Sequence, residues 1–266
     1  MVRERARQEV VSALRRRVAA IERGGGDRTV VPPLTLGAPE IDGNLPHGGL
    51  ARGALHEVLG GPAEGGGAAP GTALAFIAAL AARAAADGGC VLWCLSRRGL
   101  YGPGLAAFGL ASERLILVRG ANDGERLWAM EEGLKCPRLA AVVGEVGRLD
   151  LGQSRRLQLA AEGHGVTALL LRPGAAGAVA SAALTRWRIA AAPSAPTLGY
   201  AGVGAARFDV ELLRCKGGRP GHWLLQWNEA DDEPDDGQGG TQAGAFAVAA
   251  ALADGPAVPG LAAARG

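Results

Sequence analysis

Five short apolar runs, at 54–59, 90–95, 115–118, 139–143 and 166–171, confine this chain to few architectures. The stretches 72–86, 103–110, 123–134 and 151–162 lie between them and repeat their apolar residues at helical spacing. Such alternation predicts an α/β fold with a central, mostly parallel sheet and crossover helices on its faces. The pattern then changes. Runs 183–191, 206–214 and 221–226 follow one another without helical stretches, and "KGGRPG" at 216–221 reads as a hairpin turn. An antiparallel C-terminal extension of the sheet is expected.

The remaining segments set the domain boundaries. Residues 1–29 read as a basic helix and linker. Val10, Leu14, Val18 and Ile21 form an apolar stripe beside Arg15, Arg16 and Arg17, and "GGGD" ends the helix. Residues 30–228 hold the core. Residues 229–266 read as an acidic disordered tail, with six acids from Glu229 to Asp236 and no basic residue before Arg265. Within it, 243–254 reads as a short helix, too short to be stable alone.

Composition excludes several function classes. The net charge is +2, so no global field calls for a polyanion. No apolar run approaches the roughly 18 residues of a membrane span. The charged N-terminus is no signal peptide, and a cytoplasmic protein is expected. Cys90, Cys94, Cys136 and Cys215 lack zinc spacing, the histidines share no ligand pattern, and no metal is expected. No serine–histidine hydrolase signature occurs.

The motif that carries most information is "LTLGAPEIDGNLPHGGLARGALHEVLGGP", from residue 34. Gly37, Ile41, Asp42, Leu45, Gly48, Gly49 and Leu50 resemble the entry of the RecA family core, which leads through a strand into a phosphate loop. The expected reason for the glycines is that the chain passes close under a nucleotide. A phosphate loop needs G-x-x-x-x-G-K-[ST]. Gly66 and Gly71 supply the glycines. Thr72 stands in place of the lysine, and Ala73 in place of the magnesium-binding hydroxyl. Pro70 removes a further amide donor. Only Lys135 and Lys216 are lysines. The strand at 139–143 should lead to a magnesium-binding aspartate; Gly144 stands there, with Glu145 next and expected on the opposite side of the strand. After 90–95 a catalytic glutamate is expected, and Ser96, Arg97 and Arg98 follow instead. With these three groups missing, the chain reads as a non-enzyme with no cofactor. A DNA-dependent ATPase or recombinase-like motor with a degraded loop is the alternative.

Further residues sharpen the resemblance: Trp93-Cys94-Leu95, Tyr101 with Pro103-Gly104-Leu105, Trp128 with Glu131-Glu132, Gly144-Glu145-Val146, and the late "LLRCKGGRPGHWLLQW". Over about residues 30–228 the chain resembles the ImuA family, RecA-like and SulA-related proteins of SOS mutagenesis. The resemblance implies a non-catalytic accessory role in translesion DNA synthesis. The implied partners are an ImuB-like protein, an error-prone replicative-type DNA polymerase and RecA, and a SulA-like inhibitory role is a further reading. By positional analogy with the subunit-joining helix of RecA, Val10, Leu14, Arg15, Arg16, Arg17, Val18 and Ile21 are expected to contact a partner. Arg97, Arg98, Arg155, Arg156, Lys216 and Arg219 are candidate DNA-phosphate contacts, with weak binding expected because the loop after 166–171 lacks an aromatic.

Overall fold

The computed structural model describes residues 31–61, 70–96, 100–172, 180–194, 204–228 and 244–252. All elements below belong to the unit Pro33–Gly266. The expected helix at 2–22, Gly66, Arg97, Arg98 and the acidic segment 229–243 lie outside the described residues.

Nine strands form one sheet: β1 (Leu55–Gly60), β2 (Cys90–Leu95), β3 (Leu115–Arg119), β4 (Leu139–Glu145), β5 (Thr167–Arg172), β6 (Thr185–Ala192), β7 (Arg207–Cys215), β8 (Gly221–Asn228) and β9 (Ala245–Leu252). Their order is β3-β2-β4-β5-β1-β6-β7-β8-β9. The helices are α1 (Pro39–Asp42), α2 (Pro70–Ala84), α3 (Gly102–Ala106), α4 (Asp123–Leu134) and α5 (Leu151–His164). This is the expected α/β arrangement, a mostly parallel sheet flanked by helices with antiparallel strands at its C-terminal edge. Strand β1 sits near the middle and is buried along its whole length, as a strand covered on both faces must be.

Alternation along the strands builds two cores. Val91, Trp93 and Leu95 of β2, Ala141 and Val143 of β4, and Leu169 and Leu171 of β5 face α2. Their neighbours Leu92, Cys94, Val142, Ala168 and Leu170 face α4 and α5. Helix α2 is alanine-rich and buried on most sides; Phe76, Ile77 and Leu80 are fully buried. Its small residues let the backbone lie close to the sheet, which wraps around it. Phe76 touches Trp187 of β6 at 5.9 Å and Phe246 of β9 at 5.4 Å between ring centroids.

Two expectations are corrected here. Run 183–191 is not wholly part of an antiparallel extension. Strand β6 pairs parallel with β1, and the antiparallel ladder begins only between β6 and β7. Residues 245–252 do not form the expected helix, and they belong to the sheet rather than to a disordered tail. Ala245–Leu252 pairs antiparallel with β8 as the ninth strand. The reason is Phe246: it is 1% exposed and meets Trp227 at 4.9 Å and Phe208 at 5.6 Å. One aromatic anchor and a ready-made strand edge outweigh the helix propensity of the alanines.

Candidate functional site

In an open α/β sheet, ligands bind outside the carboxyl ends of the parallel strands. The three expected catalytic positions converge on that edge. Strand β1 delivers the chain to it at Gly60, and α2 departs from it. Gly71 is exposed, Thr72 is half-buried, and Ala73 is fully buried in the core between α2 and the sheet. Neither lysine can supply the missing charge. Lys216 follows Cys215, which lies opposite Thr185 and hence His56, at the amino end of β1. Lys135 ends α4, at the same amino edge, and is engaged by Glu132.

The geometry around β4 corrects the expected placement of the magnesium position. Glu145 does not point away from the phosphate-loop side. Alternation through β4 places it with Ala141 and Val143, on the face of α2. Gly144 is the residue turned away. A Cβ built there would lie 2.0 Å from Met130 Sδ, which comes from α4. An acid therefore does remain on the α2 face, but its oxygens are engaged. Glu145 Oε1 accepts from the Trp93 indole at 3.2 Å, and Oε2 accepts from the Ser96 amide at 3.3 Å and hydroxyl at 3.0 Å. The carboxylate ties the tip of β2 to the tip of β4. Strand alternation could have revealed the face of Glu145, had the strand been extended two residues; the engagement by Ser96 and Trp93 has no signal in the sequence.

A second strap holds the turn after β4. Arg126 donates from Nε to the Glu145 carbonyl at 2.7 Å and from Nη1 to the Gly120 carbonyl at 2.8 Å, and it pairs with Asp123. Asp123 in turn accepts from the amides of Gly147 at 3.2 Å and Arg148 at 2.9 Å. Partial burial pushes its carboxyl up, but those two amides and the Arg126 guanidinium outweigh burial and hold it below the usual carboxylate range.

No family model matches the chain. Among curated proteins, it is 44% identical over 221 residues to Protein ImuA of Caulobacter vibrioides strain NA1000 / CB15N, covering 79% of this chain and 89% of that protein. Protein ImuA of strain ATCC 19089 / CIP 103742 / CB 15 aligns identically. The chain belongs to the ImuA family. Among solved structures, SulA from Pseudomonas aeruginosa aligns over 45% of this chain and 98% of that one, at 21% identity and a TM-score of 0.39, too loose to carry an argument.

In this ImuA-family chain the entry motif is held by internal contacts. Asp42 accepts from the amides of Leu36 at 2.8 Å and Gly37 at 3.2 Å, which folds the entry loop onto itself. Gly37 adopts φ +82°, and a Cβ there would lie 2.7 Å from the Arg83 guanidinium of α2. The positive φ favours glycine, and the Arg83 guanidinium occupies the space beside it. His56, at the start of β1, is satisfied and buried. Its Nδ1 lies 2.8 Å from Thr185 Oγ1 and its Nε2 2.9 Å from the Ala51 carbonyl, and Trp187 donates to the same hydroxyl at 2.8 Å. The carbonyl can only accept, so Nε2 carries the proton, and burial lowers the pKa to about 4.

The candidate DNA contacts are not brought together. Arg155 and Arg156 are exposed on α5, where Arg156 pairs with Glu131 of α4 at 3.5 Å. Lys216 and Arg219 sit on the β7–β8 hairpin at the amino edge, where the Arg219 amide donates to Asn44. Arg97 and Arg98 follow β2 and lie outside the described residues, as do Val10, Leu14, Arg15, Arg16, Arg17, Val18 and Ile21 of the expected partner helix.

Proposed function

We propose that this chain is a non-catalytic accessory protein of error-prone translesion DNA synthesis in the SOS response. Its family membership supports the setting, and the geometry of β4 supports the absence of chemistry. The observation that carries the reading is the pair Gly144 and Glu145. The first is turned from the phosphate-loop side and packed under Met130. The second keeps the right face but gives both oxygens to Trp93 and Ser96. Magnesium held between carboxylate and triphosphate needs a free carboxylate oxygen and a hydroxyl from the phosphate loop. Ala73 has no hydroxyl, and no lysine reaches the loop. Binding a triphosphate would mean breaking internal hydrogen bonds while lacking the cation that compensates.

On this reading the fold serves as a scaffold for protein contacts with an ImuB-like protein, an error-prone polymerase and RecA, in the cytoplasm. Two measurements test it. Calorimetric titration with magnesium-ATP, with and without single-stranded DNA, should show no magnesium-dependent binding and no phosphate release. Co-expression with the products encoded beside it on the chromosome should yield a complex. A DNA-stimulated ATPase activity abolished by a phosphate-loop deletion would replace this reading with that of a motor.

A further inference from the structure

The carboxyl edge of the sheet holds a buried charge with no acid paired to it among the described residues. Arg172 ends β5 and is 3% exposed. Its Nη2 donates to the Gly147 carbonyl at 3.2 Å, and its Nε is buried without an acceptor. Among the described residues it forms no ion pair. Burying a guanidinium is costly unless an anion accompanies it, so an unpaired one at a sheet edge points to a ligand.

Its surroundings are suited to one. Alternation along β5 turns Arg172 to the face of Ala168 and Leu170, which is the face of α4 and α5 and not that of α2. The carbonyl it holds belongs to the turn that leads into α5. The next residue, Arg148, is exposed, and its side chain also forms no ion pair among the described residues. Helix α5 starts three residues later, with its positive dipole end at this edge. The acids nearby are engaged: Asp123 holds the Gly147 and Arg148 amides and pairs with Arg126, and Asp150 accepts from the Gln153 amide at 2.7 Å as the helix cap.

We infer that Arg172, together with Arg148 and the first turn of α5, binds a phosphate group at the β4–β5 side of the carboxyl edge. The planar fork of a guanidinium matches two phosphate oxygens. The site lies on the other face of the sheet from the degraded phosphate loop and does not depend on it. The same chemistry fits free phosphate and the phosphodiester backbone of nucleic acid.

The test uses the full chain at fixed ionic strength. Inorganic phosphate is titrated by calorimetry, and a labelled single-stranded oligonucleotide by fluorescence anisotropy. Wild type should bind at least one of them; phosphate binding assigns a free-phosphate site, and oligonucleotide binding alone assigns the backbone. Arg172→Gln should weaken that binding by about tenfold or more, the loss expected for a charge-assisted contact. Should Arg172→Gln not fold, Arg148→Gln, altered at an exposed position, decides the matter by the same loss. Wild type binding neither probe overturns the assignment. So does undiminished binding by Arg172→Gln, or by Arg148→Gln where Arg172→Gln does not fold.

Discussion

Restoring the acid at Gly144 is the sharpest perturbation of this fold. If Gly144 were a magnesium position that had merely lost its carboxylate, Gly144→Asp should be tolerated and should favour magnesium-ATP. The structure gives the opposite result. The first carbon of any side chain falls 2.0 Å from Met130 Sδ, and Met130 is fully buried with Leu127, Leu134 and Val142. Forcing Met130 aside costs about 1–3 kcal/mol, the usual range for overpacking. Burying a carboxyl without a partner adds about 1–3 kcal/mol and keeps it protonated at neutral pH. Together these are roughly 2–6 kcal/mol, a large share of the roughly 5–15 kcal/mol that stabilises a domain. At about 2–4 °C per kcal/mol for a domain of this size, the midpoint should fall by roughly 4–24 °C. Thermal unfolding followed by circular dichroism measures the fall, and titration with magnesium-ATP should show no gain of binding over wild type. The double variant Gly144→Ala with Met130→Ala should be less harmful than the two single changes added together, because the cavity accepts the new methyl. An unchanged midpoint in Gly144→Asp, or a gain of nucleotide binding, would refute the placement of this residue.

Three further outcomes are expected. The His56 pKa falls from 6.5 to about 4 on folding, so its contribution is complete above pH 6.5 and is lost as pH falls toward 4; the loss totals about 3 kcal/mol, and urea titrations at pH 7, 5.5 and 4.5 should show it, whereas His56→Gln should flatten the slope over that window. Phe246→Ala should cost about 3–5 kcal/mol because the ring is a core anchor; chemical denaturation that found less than 1 kcal/mol would mean that β9 does not pack on Trp227. Glu145→Ala should cost about 1–3 kcal/mol through unmade bonds to Trp93 and Ser96, with nucleotide turnover unchanged at background; a drop in turnover would show the carboxylate acting on substrate.

Much of the fold was legible because hydrophobic period reports burial directly. The runs at 90–95 and 123–134 coincide with β2 and α4, and Asn122 and Asp150 begin α4 and α5 as side-chain caps. The failures share one cause: the deciding partner lies far along the chain. An alanine-rich stretch looks helical until Phe246 finds Trp227 and Phe208. The run at 183–191 looks like the start of a meander until β1 offers a parallel edge.

At the candidate site the division is the same. Sequence alone determined which chemical groups exist: no lysine near the phosphate loop, alanine where a hydroxyl is needed, and glycine ahead of Glu145. Composition is local, and no packing can supply an absent atom. Only the tertiary structure decided where the surviving groups point. It turned Glu145 toward α2 and occupied it, placed Met130 over Gly144, and left Arg172 buried without an ion pair among the described residues. Facing and pairing are set by neighbours 14 to 52 residues away in the chain, and strand alternation converts a one-residue difference into opposite sides of the sheet.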